Sequence, residues 1–334
     1  MTNRKNKKYK GRLLTSPLHI NKTKEMLKME FNKSNRFNND NENQVNQNLI
    51  HYSGKAGEFD YDPNIWKIED NHLSFKNKEV ESLPENLELP KGCMDTSYMF
   101  KDCTNLTDIS PLKNWDTSKV EDMSCMFEFC QNLTDISSLQ NWDISNVEDM
   151  TGMFYGCKNL TDIKPLQNWD TSNAKNMSHM FRFCKTLADI SPLKNWDTSK
   201  VKDMKYMFEF CENLKDITPL QNWDTSKVEY MTVMFSQCEN LIDISPLQNW
   251  DTSNVKSMSR MFEYCTNLID ISSLKNWDTS NIKDMTQMFK NCENLTDVNA
   301  LQNWDISNVE GISYMFWNCT NLKDKPSFYL KFNK

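Results

Sequence analysis

The sequence predicts an α/β repeat solenoid of 27-residue coils, each combining short parallel strands with capped helical turns. Three observations carry this. Tryptophan recurs every 27 residues, at Trp115, Trp142, Trp169, Trp196, Trp223, Trp250, Trp277 and Trp304. Cysteine keeps the same period from Cys103 to Cys319, and so does a Met-Phe pair from Met99-Phe100 to Met315-Phe316. Three columns that stay in phase without one insertion mark tandem copies of a single structural unit, which grows along one axis.

In chain order, residues 1–48 form a basic and then Asn-rich arm whose second part, FNNDNENQVNQN, is too polar to build a core and is expected to be disordered. Residues 49–92 form a linker and an N-terminal cap around Leu83-Pro84 and Leu89-Pro90. The solenoid spans 93–318, with eight full copies from Cys103 preceded by a partial copy. Residues 319–334, where the pattern breaks at Pro326-Ser327-Phe328-Tyr329, form a C-terminal cap that shields an otherwise open edge.

Within a copy the apolar positions are Leu106, Ile109, Leu112, Trp115, Val120, Met123, Met126, Phe127 and Cys130. Ser110 and its equivalents are hydroxyl residues or Asn in all but one copy, a good helix cap, and Pro follows at 111, 165, 192, 219 and 246. The second half echoes the first 14 residues on, with Ser or Thr at Ser124 and its equivalents except Lys205. Each coil therefore reads as strand, capped helical turn, Asp-Thr-Ser corner, strand, capped helical turn. One coil buries too little apolar surface to fold alone, so stacking must supply the rest. The Trp column is expected to be a structural ladder, each indole N–H bonded to a carbonyl of an adjacent corner.

Nine of the 11 cysteines form the repeat column, and Cys93 and Cys125 are extras. An odd column whose side chains all point one way cannot pair completely, and no Cys-x-x-Cys spacing suggests zinc. Buried free thiols acting as small hydrophobes are expected. Four histidines without a His-Glu-x-x-His pair and seven glycines without a phosphate-binding loop point away from an enzyme, and no metal or cofactor is expected. The Asp108-type carboxylates recur in every coil and suit corner capping better than catalysis.

The formal charge of −7 is unevenly distributed. Residues 1–36 hold 11 Lys/Arg against Glu25 and Glu30, which makes the arm +9 and leaves the body at −16. An acidic body disfavours nucleic acid, so only the arm is a candidate for a nucleic acid or an anionic membrane surface. No stretch approaches the roughly 18 apolar residues of a membrane span, and the longest apolar run of the arm, Leu13-Leu14, is too short for a secretory signal.

Variation among copies separates two positions from the constrained ones. The residue before Met-Phe reads Tyr98, Cys125, Gly152, His179, Tyr206, Val233, Arg260, Gln287, Tyr314. The residue after it reads Lys101, Glu128, Tyr155, Arg182, Glu209, Ser236, Glu263, Lys290, Trp317. Three apart on a helical turn, they would share a face and run as a double row along one side. Aromatic, Arg and mixed-sign side chains on a rigid scaffold suit partner recognition. The candidate strip comprises Tyr98, Lys101, Glu128, Tyr155, His179, Arg182, Tyr206, Glu209, Arg260, Glu263, Lys290, Tyr314 and Trp317.

The run NWDTSNV at 249–255, followed by MSRMFEYC at 258–265, resembles the BspA-like leucine-rich-repeat family, in particular its mycoplasma lipoprotein-associated subtype. The resemblance covers roughly residues 93–325 and implies a leucine-rich-repeat-like solenoid on a microbial surface that binds protein partners in adhesion or cell interaction. Signal peptide, lipobox and wall anchor are not found in the sequence as given, which by itself reads as cytoplasmic. An intracellular scaffold and a tether acting through the basic arm are the alternative functions.

Overall fold

The computed structural model describes residues 64–69, 72–90 and 92–332, all within one compact unit spanning Gly54–Lys334. The basic arm and Asn-rich stretch, with any role in polyanion binding, lie outside the described residues. A hairpin opens the described chain: β1 (Trp66–Glu69) pairs antiparallel with β2 (His72–Phe75), Trp66 opposite Phe75. Trp66 packs against Phe100 and Trp115 of the first coil, and the Phe75 N–H donates to the Met99 carbonyl. At the far end a helix, α1 (Ser327–Phe332), lays Tyr329 edge-on against Phe316.

Between these ends the coils stack. The first half of each carries a short 3-10 helix, from Ser110–Asn114 to Asn299–Asn303, in which Leu112 and its equivalents point inward. Its start is bound by the aspartate two residues upstream: Asp108 Oδ1 accepts the Ser110 N–H at 2.8 Å. The serine expected to cap therefore receives a cap, because a short Asp side chain reaches the second following N–H in an Asx turn. Asp116 and Asp122 do the same for Ser118 and Ser124, so most coils are pinned at three corners, the exceptions being those with Tyr230 and Gly311 at the third. Parallel pairing between coils is present as single-residue bridges, such as Asp95 to Asp122 and Asp122 to Asp149.

The second half differs from the expected helical turn. Met99, Lys101 and Cys103 N–H groups bond the carbonyls of Thr96, Tyr98 and Phe100, giving three overlapping turns. Tyr98 and Asp102, third residues of the outer two turns, have φ of 56° and 62°, as a type II turn requires. Both positions stay left-handed in every coil. Glycine removes the strain at Gly156, where φ is 76° and a Cβ would meet the Phe129 ring at 2.5 Å.

These turns aim alternate peptide groups along the stacking axis. Thr96, Tyr98, Phe100 and Asp102 donate to the carbonyls of Asp122, Ser124, Met126 and Glu128 in the next coil. Because the N–H of each following residue donates onward, four unbroken columns of co-aligned peptides run to the carbonyls of Gly311, Ser313, Met315 and Trp317. Ordinary strands alternate these dipoles, whereas this ribbon adds them.

The core is a set of ladders. The Phe column is fully buried, with ring centroids 5.5–5.9 Å apart in near-parallel stacks. The Trp column is buried as expected, but from Trp142 onward its indole N–H groups bond the Leu carbonyl of the preceding coil's 3-10 helix, as Trp142 does to Leu112 at 3.0 Å, not an Asp-Thr-Ser corner. The cysteines are free, and each thiol from Cys130 to Cys319 donates to the Phe carbonyl of the coil before, at 3.1–3.3 Å. Burial pushes these thiols well above their ordinary range, so they are inert donors that pack like small hydrophobes.

One ladder is in electrostatic conflict. Asp95, Asp122 and Asp149 stand on adjacent coils, and desolvation together with the Asp149 and Asp95 carboxylates pushes Asp122 up to about 7. A carboxyl with a raised folded pKa binds more protons folded than unfolded, so its share of stability falls as pH rises from about 4 to 7. In the same column Asn176 accepts the Ser178 N–H without a charge. Asp122→Asn should therefore stabilise the fold by about 1–3 kcal/mol at pH 8, with the gain vanishing near pH 4. Urea melts at the two pH values measure this, and an equal or negative effect at pH 8 refutes the conflict.

Candidate functional site

The variable positions do form two adjacent rows on the overlapping turns. The residue before Met-Phe occupies the left-handed position, and the residue after it lies three further on. At the N-terminal end Tyr98 is half-buried with its ring 4.9 Å from His72, and Lys101 bridges to buried Glu128 at 2.9 Å. In the middle, Arg182 is buried and ion-paired with Glu209. Its guanidinium lies 5.2 Å from the Tyr155 ring and 4.8 Å from that of Tyr206, and His179 stacks on Tyr206 at 4.4 Å. Burial and the cations Arg182 and Lys205 hold His179 far below its ordinary pKa, so it is neutral. Burial pushes the Glu209 carboxyl up to about 7 against the pull of Arg182.

Towards the C-terminus, buried Glu263 accepts from Lys290 at 2.8 Å and lies 3.9 Å from Arg260. Most of the strip is therefore closed on itself, because each coil covers the row beneath and opposite charges meet one repeat apart. It opens at its end, where Tyr314 is 58% and Trp317 52% exposed, and again two coils lower at Arg260, whose side chain is half exposed.

A third row escaped the sequence reading. The residue before each Cys, including Phe129, Phe183, Phe210, Tyr264 and Asn291, packs beside the other two. Phe183 stacks on Phe210 at 4.2 Å and Arg182 lies 5.3 Å from the Phe183 ring. Its variability among copies was a visible signal, but a helical turn would have placed it elsewhere. Among the described residues no helix is long and apolar enough to cross a membrane.

The model of a family described as "Mycoplasma protein of unknown function, DUF285" matches residues 94–216, 159–245, 183–274 and 242–331. The chain belongs to this family. The match bears out the mycoplasma repeat subtype read from the tryptophan and Met-Phe motifs. No curated protein matches this DUF285 chain. Among solved structures it is similar to a leucine-rich repeat protein from Eubacterium ventriosum, with 18% identity over 79% of this chain and 52% of that one, at a TM-score of 0.34. It is also similar to a leucine rich cell surface protein from Faecalibacterium prausnitzii, with 16% identity, 83% and 97% coverage and a TM-score of 0.34. A leucine-rich repeat protein from Bacteroides ovatus shows 15% identity, 78% and 84% coverage and a TM-score of 0.25. The DUF285 chain thus spans about half the length of the Eubacterium ventriosum protein.

Proposed function

We propose that this DUF285 protein is a non-enzymatic protein-binding solenoid that acts in adhesion or cell–cell contact. The observation that carries the reading is the exposed part of the strip, at its end and at Arg260. Tyr314, Trp317 and Arg260 are the residue types that dominate binding energy at protein interfaces, and here they stand open on a rigid stack. The interior of the strip supports them: with its charges paired and its rings stacked, it holds the outer coil in place and offers little of its own to a partner.

Two measurements test this. Protease treatment of intact source cells, read with an antibody against the repeats, should cleave the protein without permeabilisation. The labelled full chain should bind cultured epithelial cells, and the triple variant Arg260→Ala, Tyr314→Ala, Trp317→Ala should bind at least about tenfold more weakly. Full protection until lysis defeats the adhesion reading, and unchanged binding of the variant removes the site.

A further inference from the structure

The four columns of peptide groups end differently from how they run. In every interior coil each of these N–H groups donates to the coil above. In the last coil the donors are Ile312, Tyr314, Phe316 and Asn318. The Phe316 N–H is taken by the side chain of Tyr329 in α1. The N–H groups of Ile312, Tyr314 and Asn318 find no acceptor among the described residues, but Ile312 is buried, so only those of Tyr314 and Asn318 stand on exposed residues.

This edge offers donors only. Every carbonyl of the ribbon that faces along the axis accepts from the preceding coil, so the terminal row carries the positive ends of co-aligned peptides. Side-chain charge does not oppose it, since residues 311–318 read GISYMFWN. Tyr314 and Trp317, most of whose equivalents lower down are covered by the next coil, flank it in the open. One coil beneath, the buried atoms Gln287 Oε1 and Asn291 Nδ2 lack partners among the described residues, which marks this end as the least satisfied part of the stack.

We propose that this edge binds an extended polypeptide segment of a partner protein, which takes the place of a further coil. The inference rests on the protein-binding reading and specifies its mode. What covers the same row at each interior interface is known: a chain segment that places carbonyl oxygens over alternate N–H groups and side chains over the two variable rows. A partner segment continues that pattern, accepting from Tyr314 and Asn318 through its own carbonyls and packing on Tyr314 and Trp317. Main-chain bonds supply the seat and the two aromatics the selectivity, as when a strand is added to an open sheet edge. With Phe316 taken by Tyr329 and Ile312 buried, two of the four donors remain for the partner.

The test uses the full chain and, as probe, a blocked synthetic peptide of residues 308–322 carrying Cys319→Ser, because that segment covers the same row one coil lower. Adding it should slow amide exchange at Tyr314 and Asn318, leave the buried Ile312 and Phe316 unchanged and shift the Trp317 emission to the blue. Tyr314→Ala with Trp317→Ala, both at exposed sites, should weaken the peptide at least about tenfold. No change at these amides with millimolar peptide overturns the proposal. Protection that arises from raising the protein concentration alone overturns it too, because the occupant is then a second copy. Cell binding that persists while the edge amides stay unaffected leaves the protein-binding reading standing and removes only this mode, whereas loss of both removes both.

Discussion

Replacing Phe208 with alanine should cost about 3–5 kcal/mol and divide the unfolding of the array. Phe208 is fully buried, and its ring stacks between Phe181 at 5.9 Å and Phe235 at 5.7 Å. The cavity therefore weakens two interfaces at once. In a linear array stability is close to a sum of coil and neighbour terms, so a weak coil in the middle uncouples the halves. Urea melts followed by far-ultraviolet circular dichroism should shift to lower midpoint and broaden or split. Ile242→Ala, on a side chain 51% exposed, serves as the control and should move stability by less than about 0.5 kcal/mol. A Phe208→Ala variant no weaker than this control would mean that the Phe ladder fills space without holding the coils together.

Arg182→Met should be the most damaging change on the strip, at about 3–5 kcal/mol near pH 8. It removes the partner of buried Glu209 and the cation between the Tyr155 and Tyr206 rings. Burial holds Glu209 at about 7 even with the guanidinium present, so without it the carboxyl rises further. A raised folded pKa means stability that is lost as pH rises through it, so the deficit of the variant should shrink from pH 8 to pH 5. Adding Glu209→Met should recover most of the loss at pH 8, because two apolar side chains leave no stranded charge. Thermal melts of both variants at the two pH values decide this. A deficit independent of pH would show that lost ring packing, and not the orphaned carboxylate, is the cause.

The repeat period, the identity of the buried columns and the absence of cysteine pairing were all legible from residue spacing, since a 27-residue period forces equivalent side chains into register and apolar ones inward. The Asp108-type aspartates were legible as corner caps for the same reason. The candidate strip was legible as two adjacent rows, because positions that vary among otherwise matching copies must face away from the shared core. What the sequence could not tell was which hydrogen bonds close each coil. Ser110 looks like a cap and receives one from Asp108 instead, and the Met-Phe segment folds into overlapping turns with left-handed residues as unsuited to that conformation as Val233. Local preference opposes that geometry. It persists because, in every interior coil, the coils above and below satisfy the axial peptide groups. The same stacking buries Arg182 with Glu209 and leaves Tyr314 and Trp317 open, so which part of the strip can meet a partner was decided by neighbouring coils and not by the residues themselves.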